Sequence, residues 1–200
     1  MYQKFWKRAI DIVLSGIGIV VLCIPMMLIA IVIKLDSPGP VLFRQERVGK
    51  NKKPFIILKF RSMYSDTPKN VPTHQLSDAK SYITKVGAFL RKTSLDELPQ
   101  LFCIFIGSMT IIGPRPALFN QEDLLAERDK YGANNVKPGL TGLAQIRGRD
   151  ELPIDVKAAF DGEYVSKISF WLDVKLFFGT ITSVLKQDGI AEGEQKELHM

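Results

Sequence analysis

The sequence is poor in the residues that build disulfide frameworks and zinc sites. Only two of its 200 residues are cysteine and only two are histidine. Cys23 lies within an apolar run and Cys103 stands alone, so the spacing fits neither a disulfide-rich secreted domain nor a CxxC metal site. The composition otherwise suits one globular domain, and the scarcity of cysteine favours a reducing compartment that faces the cytosol.

Charge is absent from residues 12–33, an uninterrupted run of 22 residues. A helix of that length rises about 1.5 Å per residue, which matches the roughly 30 Å hydrocarbon core of a bilayer. The run is too long for the apolar core of a cleaved signal peptide, which spans about 7–15 residues. We therefore expect a membrane-embedded segment that stays in the mature protein.

Two features of this segment favour a helix that enters and leaves the membrane on the same side. Pro25 lies near its middle, where a proline removes a backbone hydrogen bond and bends or breaks a helix. Residues 1–36 are therefore predicted to form a re-entrant helix with its break at Pro25, and a simple spanning anchor is the alternative. The positive-inside rule adds that basic flanks lie in the cytoplasm. The basic flanking residues are Lys4, Lys7 and Arg8 before the run and Lys34, Arg44, Arg47, Lys50, Lys52 and Lys53 after it.

Positive charge is concentrated in the first third of the chain. The whole sequence has a net charge of +6, but residues 1–61 contain eleven basic and three acidic residues and carry +8. Such a stretch favours an anionic partner, such as anionic lipid or a phosphorylated substrate. Nucleic acid fits less well, because the basic residues flank a lipid-soluble run rather than alternate with exposed aromatic residues. A non-catalytic cationic scaffold on anionic lipid is the rival interpretation of this charge pattern.

The rest of the chain predicts an α+β fold that is mostly helical. Two short strands, 41–43 and 54–60, surround a basic link at 44–53 and form a small β-hairpin. Residues 65–80 are polar and contain prolines, which is typical of a surface loop. Helical patterns follow at 82–92, 95–107, 117–131, 153–166 and 170–187. We expect a re-entrant helix over 1–36, a domain at the cytosolic membrane interface over 37–189, and a flexible tail over 190–200.

The last of these helical patterns has two interpretations. Aromatic and aliphatic residues in 170–178 stand beside Lys167 and Lys175. The pattern fits a helix that packs into a core. It also fits an amphipathic helix that lies in the headgroup plane of a membrane, and the sequence alone leaves both interpretations open.

The segment 91–99 contains the densest chemical signal. Ser94 and Glu97 have the spacing of a capping box, in which two side chains satisfy free amides at a helix start. That interpretation does not explain Asp96 beside Glu97, nor Arg91 one turn earlier. Two carboxylates at the positive end of a helix favour a divalent cation or phosphate nearby, and one of them can act as a nucleophile.

Two further segments have features of phosphate-binding loops. Arg115 lies between two prolines, whose fixed φ angles hold the guanidinium in a rigid turn that suits phosphate oxygens, and pairing with a structural carboxylate is the alternative. Residues 137–149 are glycine-rich and basic, so their amides could cradle an anion, although they match neither a P-loop nor a dinucleotide fingerprint. With Lys59 and Arg61 at the end of the hairpin, four stretches could converge on phosphates around one pair of carboxylates.

Taken in order, these segments resemble the bacterial sugar transferase family, the small monotopic phosphoglycosyl transferases that start glycan assembly on polyprenyl phosphate. The resemblance covers nearly the whole chain up to about residue 189. The resemblance is to the minimal members of the family, so we expect no multi-span membrane region before the apolar run. The matching segments are 5–12 (FWKRAIDI), 37–49 (SPGPVLFRQERVG), 58–63 (LKFRSM), 93–101 (TSLDELPQL), 113–116 (GPRP) and 137–145 (KPGLTGLAQ).

The resemblance implies roles for individual residues. Asp96 and Glu97 would be the catalytic pair, with Asp96 as the nucleophile and Mg²⁺ held by both carboxylates. Pro25 would break the re-entrant helix. A serine precedes that proline in the minimal members, whereas Ile24 precedes it here, so the break would depend on Pro25 and the charged flanks. The residues that would bind phosphate are Lys59, Arg91, Arg115 and Arg149.

The reaction that the resemblance implies is a double displacement. Asp96 would attack the β-phosphate of a UDP-sugar, release UMP and form an aspartyl phosphosugar, which undecaprenyl phosphate would then accept. We expect an Mg²⁺-dependent enzyme on the cytoplasmic face of the bacterial inner membrane, in contact with phospholipid, that catalyses the first membrane step of glycoconjugate assembly. No nucleic-acid partner is expected. The identity of the sugar and the existence of a homodimer stay open at this stage.

Overall fold

The computed structural model describes residues 1–68, 79–148 and 152–186. Helices dominate these residues and the strands form two small sheets, so the predicted α+β, mostly helical class is confirmed. The elements in chain order are α1 (Lys7–Asp36), β1 (Leu42–Val48), β2 (Pro54–Phe60), α2 (Lys85–Lys92), α3 (Gln100–Ile106), β3 (Thr110–Ile112), α4 (Glu122–Asp129), β4 (Gly139–Thr141), α5 (Leu143–Arg147), α6 (Ile154–Ser166) and α7 (Phe170–Lys186).

The long uncharged run forms most of α1, which follows a π-helical turn at Tyr2–Trp6. This helix is long and apolar enough to cross a membrane. Residues 1–36 are all described, and within them α1 is one continuous helix that contains Pro25, while a bend at that residue stays a prediction. A proline removes only one backbone hydrogen bond, and the helical bonds on either side keep this 30-residue helix continuous. The re-entrant course of the segment stays a prediction.

One face of α1 packs lengthwise against the rest of the protein. Gly16 and Gly18 let α3 come close to α1. A Cβ on Gly16 would lie 3.4 Å from the Phe105 side chain, and a Cβ on Gly18 would lie 3.2 Å from the Leu101 side chain. The opposite face of α1 is apolar and exposed, as at Val20 and Ile24. The buried residues of the core beside the second half of α1 are Met26, Ile33, Phe60 and Leu90.

The predicted hairpin is present, with a longer first strand than expected. β1 and β2 pair antiparallel from Leu42 opposite Phe60 to Val48 opposite Pro54. The prediction ended the first strand at residue 43 because charged residues follow. In the structure Arg44 is exposed and Gln45 is buried, which is the alternation of a strand with one solvated face.

A second, parallel sheet was not predicted. Thr110 pairs with Gly139 and Ile112 with Thr141. Each strand has only three residues and β4 contains glycine, so neither strand has a clear period-two pattern. The short helix α5 was missed for the same reason, because it begins directly after Gly142 in the glycine-rich segment.

The last helical pattern forms a helix that packs one face into a core, as the first interpretation predicted, whereas the membrane interpretation stays a prediction. Leu176 and Asp173 lie on a buried face of α7, whereas Trp171 and Phe178 are 77% and 62% exposed. The helix therefore packs into a core on one side and presents an aromatic surface on the other. The boundary at residue 189 and the tail at 190–200 lie outside the described residues.

Candidate active site

Two adjacent carboxylates stand in the turn between α2 and α3. After α2 ends, Ser94 adopts a left-handed conformation with φ of 57°, and a 3₁₀ turn at Leu95–Glu97 follows. The Ser94 side chain makes no capping bond to any described residue, and the Glu97 side chain binds cations, so the capping-box interpretation is wrong. The turn instead presents Asp96 and Glu97 together just before α3.

Glu97 links two cations from distant parts of the chain. Its Oε1 accepts a hydrogen bond from Lys59 Nζ at 2.7 Å and one from Arg115 Nη2 at 3.0 Å. Lys59 comes from the end of β2 and Arg115 from the loop after β3. Burial by itself would raise the pKa of Glu97, but these two cations outweigh burial and hold that pKa well below its usual range. Glu97 is therefore a stable anion at neutral pH.

Asp96 has a different environment although it is the next residue. It is 7% exposed, and its nearest cation is Lys59, with Nζ 3.7 Å from Oδ2. Burial raises the pKa of the Asp96 carboxyl, the Glu97 charge adds to the rise, and Lys59 with the arginines opposes it only in part. The two carboxyl groups thus have pKa values displaced in opposite directions, which is typical of acidic pairs whose members have separate chemical roles.

Arg91 lies beside the pair in the last turn of α2. Its charge lowers the pKa of Asp96, so the guanidinium is close enough to act on that carboxyl. Its Nε is buried and has no hydrogen-bond partner in the described part of the chain. A buried donor without an acceptor is costly, so an oxygen of a bound anion would relieve this cost.

The loop that carries Arg115 is fixed by the second sheet. Gly113 N–H donates to the Thr141 carbonyl and Gly139 N–H donates to the Pro114 carbonyl, both at 2.8 Å. A Cβ on Gly139 would lie 2.2 Å from the Gly113 nitrogen, so only glycine permits this approach. The described part of the glycine-rich segment therefore supports the arginine loop through its backbone, and binding of an anion by its amides stays a prediction. Arg115 itself pairs with Glu97, and its side chain stays 44% exposed.

The structure does not bring all of the predicted cations together. Arg61 is buried and donates to the carbonyls of Ser37 at 2.6 Å and Pro38 at 2.8 Å, so the expectation that it faces phosphate is wrong. Arg149 lies outside the described residues, and its role stays a prediction. Lys59, Arg91 and Arg115 are the predicted cations that do surround the carboxylate pair.

Sequence reasoning missed a buried ion pair near this site. Arg128 donates from Nε and Nη2 to Oδ2 of Asp161 at 2.8 and 2.6 Å. Arg128 and Asn134 also line a shallow recess beside Arg115. The two partners are 33 residues apart and lie on separate helices, so no local pattern in the sequence marks them.

The carboxylate pair fits Mg²⁺ in a specific way. The described residues contain no group of three or more Asp, Glu, His or Cys side chains that could enclose a metal. Mg²⁺ is often bound by one or two carboxylates together with waters and substrate phosphates. Asp96 and Glu97 are two adjacent carboxylates and so match this kind of site. The residues present therefore suit an Mg²⁺ ion that arrives with a phosphorylated substrate.

Known proteins resemble this chain over most of its length. It is 43% identical over 186 residues to the UDP-glucose:undecaprenyl-phosphate glucose-1-phosphate transferase of Escherichia coli K12. The aligned residues make up 90% of this chain and 40% of that protein. It is 40% identical to the exopolysaccharide production protein PSS of Rhizobium leguminosarum bv. phaseoli, covering 90% of this chain and 94% of that one. A third relative is the undecaprenyl-phosphate galactose phosphotransferase of Salmonella typhimurium, which is 36% identical to this chain. The alignment covers 94% of this chain and 42% of that protein.

The chain thus spans about 40% of the length of the Escherichia coli relative and nearly all of the Rhizobium relative. The sequence profile of one family, described as bacterial sugar transferase, matches residues 2–187. That match includes the turn with Asp96 and Glu97, the end of β2 with Lys59 and the loop with Arg115. This protein belongs to the bacterial sugar transferase family.

Proposed function

We propose that this protein transfers a sugar 1-phosphate from a UDP-sugar to undecaprenyl phosphate and releases UMP. The names of its relatives support these two substrates, since they include glucose-1-phosphate and galactose phosphotransferases that act on undecaprenyl phosphate. The observation that carries the proposal is the buried Asp96, which lies next to an ionised Glu97 and within reach of Lys59. This reaction would be the first membrane step in the assembly of a bacterial glycan.

Asp96 is the nucleophile in this proposal. Its carboxylate oxygen forms a bond to the β-phosphorus of the UDP-sugar as the bond from that phosphorus to the UMP oxygen breaks. The product is an aspartyl phosphosugar, and UMP leaves with both bonding electrons. A phosphate oxygen of undecaprenyl phosphate then attacks the same phosphorus, which forms the lipid diphosphosugar and restores the Asp96 carboxylate.

The cations around the pair bind the diphosphate. Lys59 and Arg115 both contact Glu97 before substrate is bound, so their positions are fixed in advance. Arg91 contributes a buried Nε–H that has no acceptor within the described residues. When it is bound, Mg²⁺ would offset charge on the diphosphate, and Asp96 with Glu97 are the residues that would hold it.

The membrane placement we propose is monotopic, with the active site on the cytoplasmic face of the inner membrane. Both ends of α1 contact the same domain, since Asp11 bonds to β3 and Arg61 bonds to the carbonyl of Ser37 directly after α1. A helix with both ends attached to one domain does not need to place them on opposite sides of a bilayer. Exposed apolar side chains on α1, α3 and α7, such as Ile106 and Trp171, supply a surface for the lipid. This location would bring a soluble donor and a lipid acceptor to one active site.

The proposal is tested by UMP release from a panel of UDP-sugars, with undecaprenyl phosphate in detergent micelles as the acceptor. At least one UDP-sugar should release UMP in an Mg²⁺-dependent reaction. Asp96→Asn should abolish release, and Asp123→Asn is the matched control because Asp123 is exposed on α4. Wild-type turnover by Asp96→Asn would overturn the assignment of the nucleophile, and a lack of UMP release from any UDP-sugar would overturn the proposed donor class.

A further inference from the structure

The shallow recess beside Arg115 has the composition of a small ligand site. Arg115 lines it and also donates to Glu97 at 3.0 Å, so one side chain joins the recess to the carboxylate pair. Two further polar side chains, Arg128 and Asn134, line it as well. Mostly apolar walls with a few placed polar groups are typical of sites that bind small molecules. The apolar wall residues include Val48, Pro114, Val136 and Pro138.

Arg128 brings one hydrogen-bond donor to this recess. It is 4% exposed, and its Nε and Nη2 both donate to Oδ2 of Asp161, at 2.8 and 2.6 Å. Its Nη1 has no hydrogen-bond partner among the described residues. The guanidinium is planar, so the contact with Asp161 fixes its orientation and leaves Nη1 on the other edge. Because Asp161 balances the charge of Arg128, the recess gains a donor without a net positive charge.

Asn134 brings one acceptor. It is 6% exposed, and its Nδ2 donates to the Leu125 carbonyl at 2.8 Å and to Oδ1 of Asp129 at 2.7 Å. Hydrogen bonds from Lys52 and from this amide hold the pKa of Asp129 below its usual range, so Asp129 only accepts at neutral pH. These two acceptors fix which end of the amide is nitrogen. Oδ1 is therefore the end without a partner in the described part of the chain.

A neutral flat ring suits this recess better than a phosphate or a sugar does. A second phosphate would find no unbalanced charge at Arg128, and a sugar would place hydroxyl groups against proline and valine walls. Uracil has two apolar faces and one edge on which N3–H lies between two carbonyl oxygens. That edge offers a donor to Asn134 Oδ1 and an acceptor to Arg128 Nη1.

The position of the recess also fits the base of a UDP-sugar. In such a donor the sugar is attached directly to the β-phosphate, whereas the ribose and the α-phosphate separate the base from the β-phosphorus. Asp96, the proposed nucleophile, does not line the recess, and Arg115 contacts both Glu97 and the recess. Arg115 would therefore bind the diphosphate while the base lies beyond it. A shallow recess is sufficient, since only the edge of the ring has to enter.

We propose that this recess is the uracil subsite for the donor, in which Asn134 Oδ1 accepts from N3–H and Arg128 Nη1 donates to a neighbouring ring carbonyl. The inference rests on the proposed function and names the residues that recognise the base. It also predicts a selectivity. Cytosine carries an acceptor at N3 in place of the donor, so its N3 would face Asn134 Oδ1 with like polarity.

The test measures the binding of four probes to the whole chain in detergent micelles with Mg²⁺ by isothermal titration calorimetry. UMP presents the complete edge, 3-methyl-UMP and CMP lack N3–H, and ribose 5-phosphate lacks the base. UMP should bind about ten- to a hundredfold more tightly than each of the other three, since their complexes leave buried polar groups unpaired. These comparisons use the wild-type protein, so they do not depend on the folding of a variant.

Arg128→Lys is the main variant, because lysine can keep an ion pair with Asp161 but cannot also present Nη1. It should weaken the binding of UMP about tenfold and leave 3-methyl-UMP and ribose 5-phosphate almost unchanged. Val136→Phe narrows the recess from a half-buried position without altering the ion pair, and it should have the same effect. The matched control is Arg44→Lys, an exposed position on β1 where no affinity should change.

Two results would overturn the inference and leave the proposed function intact, as long as a UDP-sugar still releases UMP. In the first, the wild type binds UMP, 3-methyl-UMP and CMP equally, so the base lies outside the recess. In the second, Arg128→Lys and Val136→Phe either bind UMP as the wild type does or lose ribose 5-phosphate as strongly as UMP. Arg128 would then only support the fold. A protein that binds no UMP and releases none from any UDP-sugar would overturn the proposed donor class and the inference with it.

Discussion

Two buried carboxylates, Asp96 just before α3 and Asp11 on α1, differ in how far the protein satisfies them. Asp96 lies 3.7 Å from its nearest cation, and its pKa is raised by burial. Asp11 accepts two hydrogen bonds from β3, at 2.7 and 3.0 Å. A carboxylate that the fold leaves partly unsatisfied keeps its reactivity for a substrate, whereas one with good donors has its hydrogen-bonding capacity used in holding the fold together.

The strongest test of this difference is to neutralise each carboxylate in turn. Asp96→Asn should lower the rate of UMP release by about a thousandfold or more, because an amide cannot form the aspartyl phosphosugar. Asp11→Asn should keep the chemistry and alter mainly the placement and stability of α1. Intact-mass analysis after incubation with donor alone should reveal a phosphosugar adduct on wild type and on Asp11→Asn. An adduct on Asp96→Asn would contradict the assignment.

The cations around Asp96 should show the next largest effect. Arg115→Ala should lower kcat/KM by about ten- to a hundredfold, since it removes a charge-assisted hydrogen bond to phosphate. Arg115→Lys should restore little of this loss if the guanidinium binds through two N–H groups. The matched control is Arg44→Ala, because Arg44 is an exposed arginine on β1. Steady-state kinetics provide the measurement. If kcat/KM of Arg115→Ala equals that of the wild type, Arg115 is a structural partner of Glu97 and does not bind phosphate.

A smaller effect should appear in the pH dependence of the rate. Only the ionised Asp96 attacks, and burial raises its pKa, so activity should fall on acidification at a higher pH than an ordinary aspartate would give. Lys59 lowers the pKa of Asp96, so Lys59→Gln should move this acid limb to still higher pH. Profiles of kcat/KM against pH for wild type, Lys59→Gln and Arg44→Ala provide the measurement. An acid limb of Lys59→Gln that stays in place or moves down would contradict the proposed environment of Asp96.

The sequence marked the candidate carboxylate pair because its signal is local. Asp96 and Glu97 are neighbours in a motif, and Arg91 is one turn earlier, so composition and the family resemblance marked them together. The attachment of Asp11 could not be predicted in this way. Thr110, its partner, is 99 residues away and lies in a three-residue strand without periodicity.

The role of Arg61 was predicted wrongly for a related reason. Lys59 lies in β2 and Arg61 follows directly after that strand. From their charge alone, both residues were expected to bind phosphate. Only the packing of α1 shows that Arg61 faces the carbonyls of Ser37 and Pro38, whereas Lys59 faces Glu97. Charge type was read from the sequence, but the direction of each side chain depended on tertiary contacts that no local pattern contains.

The two carboxylates should also have effects of opposite sign on stability, and this is the smallest difference we expect. The folded state holds the Asp96 proton more tightly than the unfolded chain, so Asp96 makes the fold less stable as the pH rises through its raised pKa. Asp96→Asn should therefore raise the unfolding temperature slightly at neutral pH, and this gain should vanish in acid. Asp11→Asn should lower it by about 2–6 °C, because one oxygen acceptor is replaced by an amide donor that faces the donors of Thr110 and Ile111. Thermal unfolding of the detergent-solubilised protein at two pH values measures both changes. If the unfolding temperature falls for both variants at neutral pH, Asp96 stabilises the fold as Asp11 does.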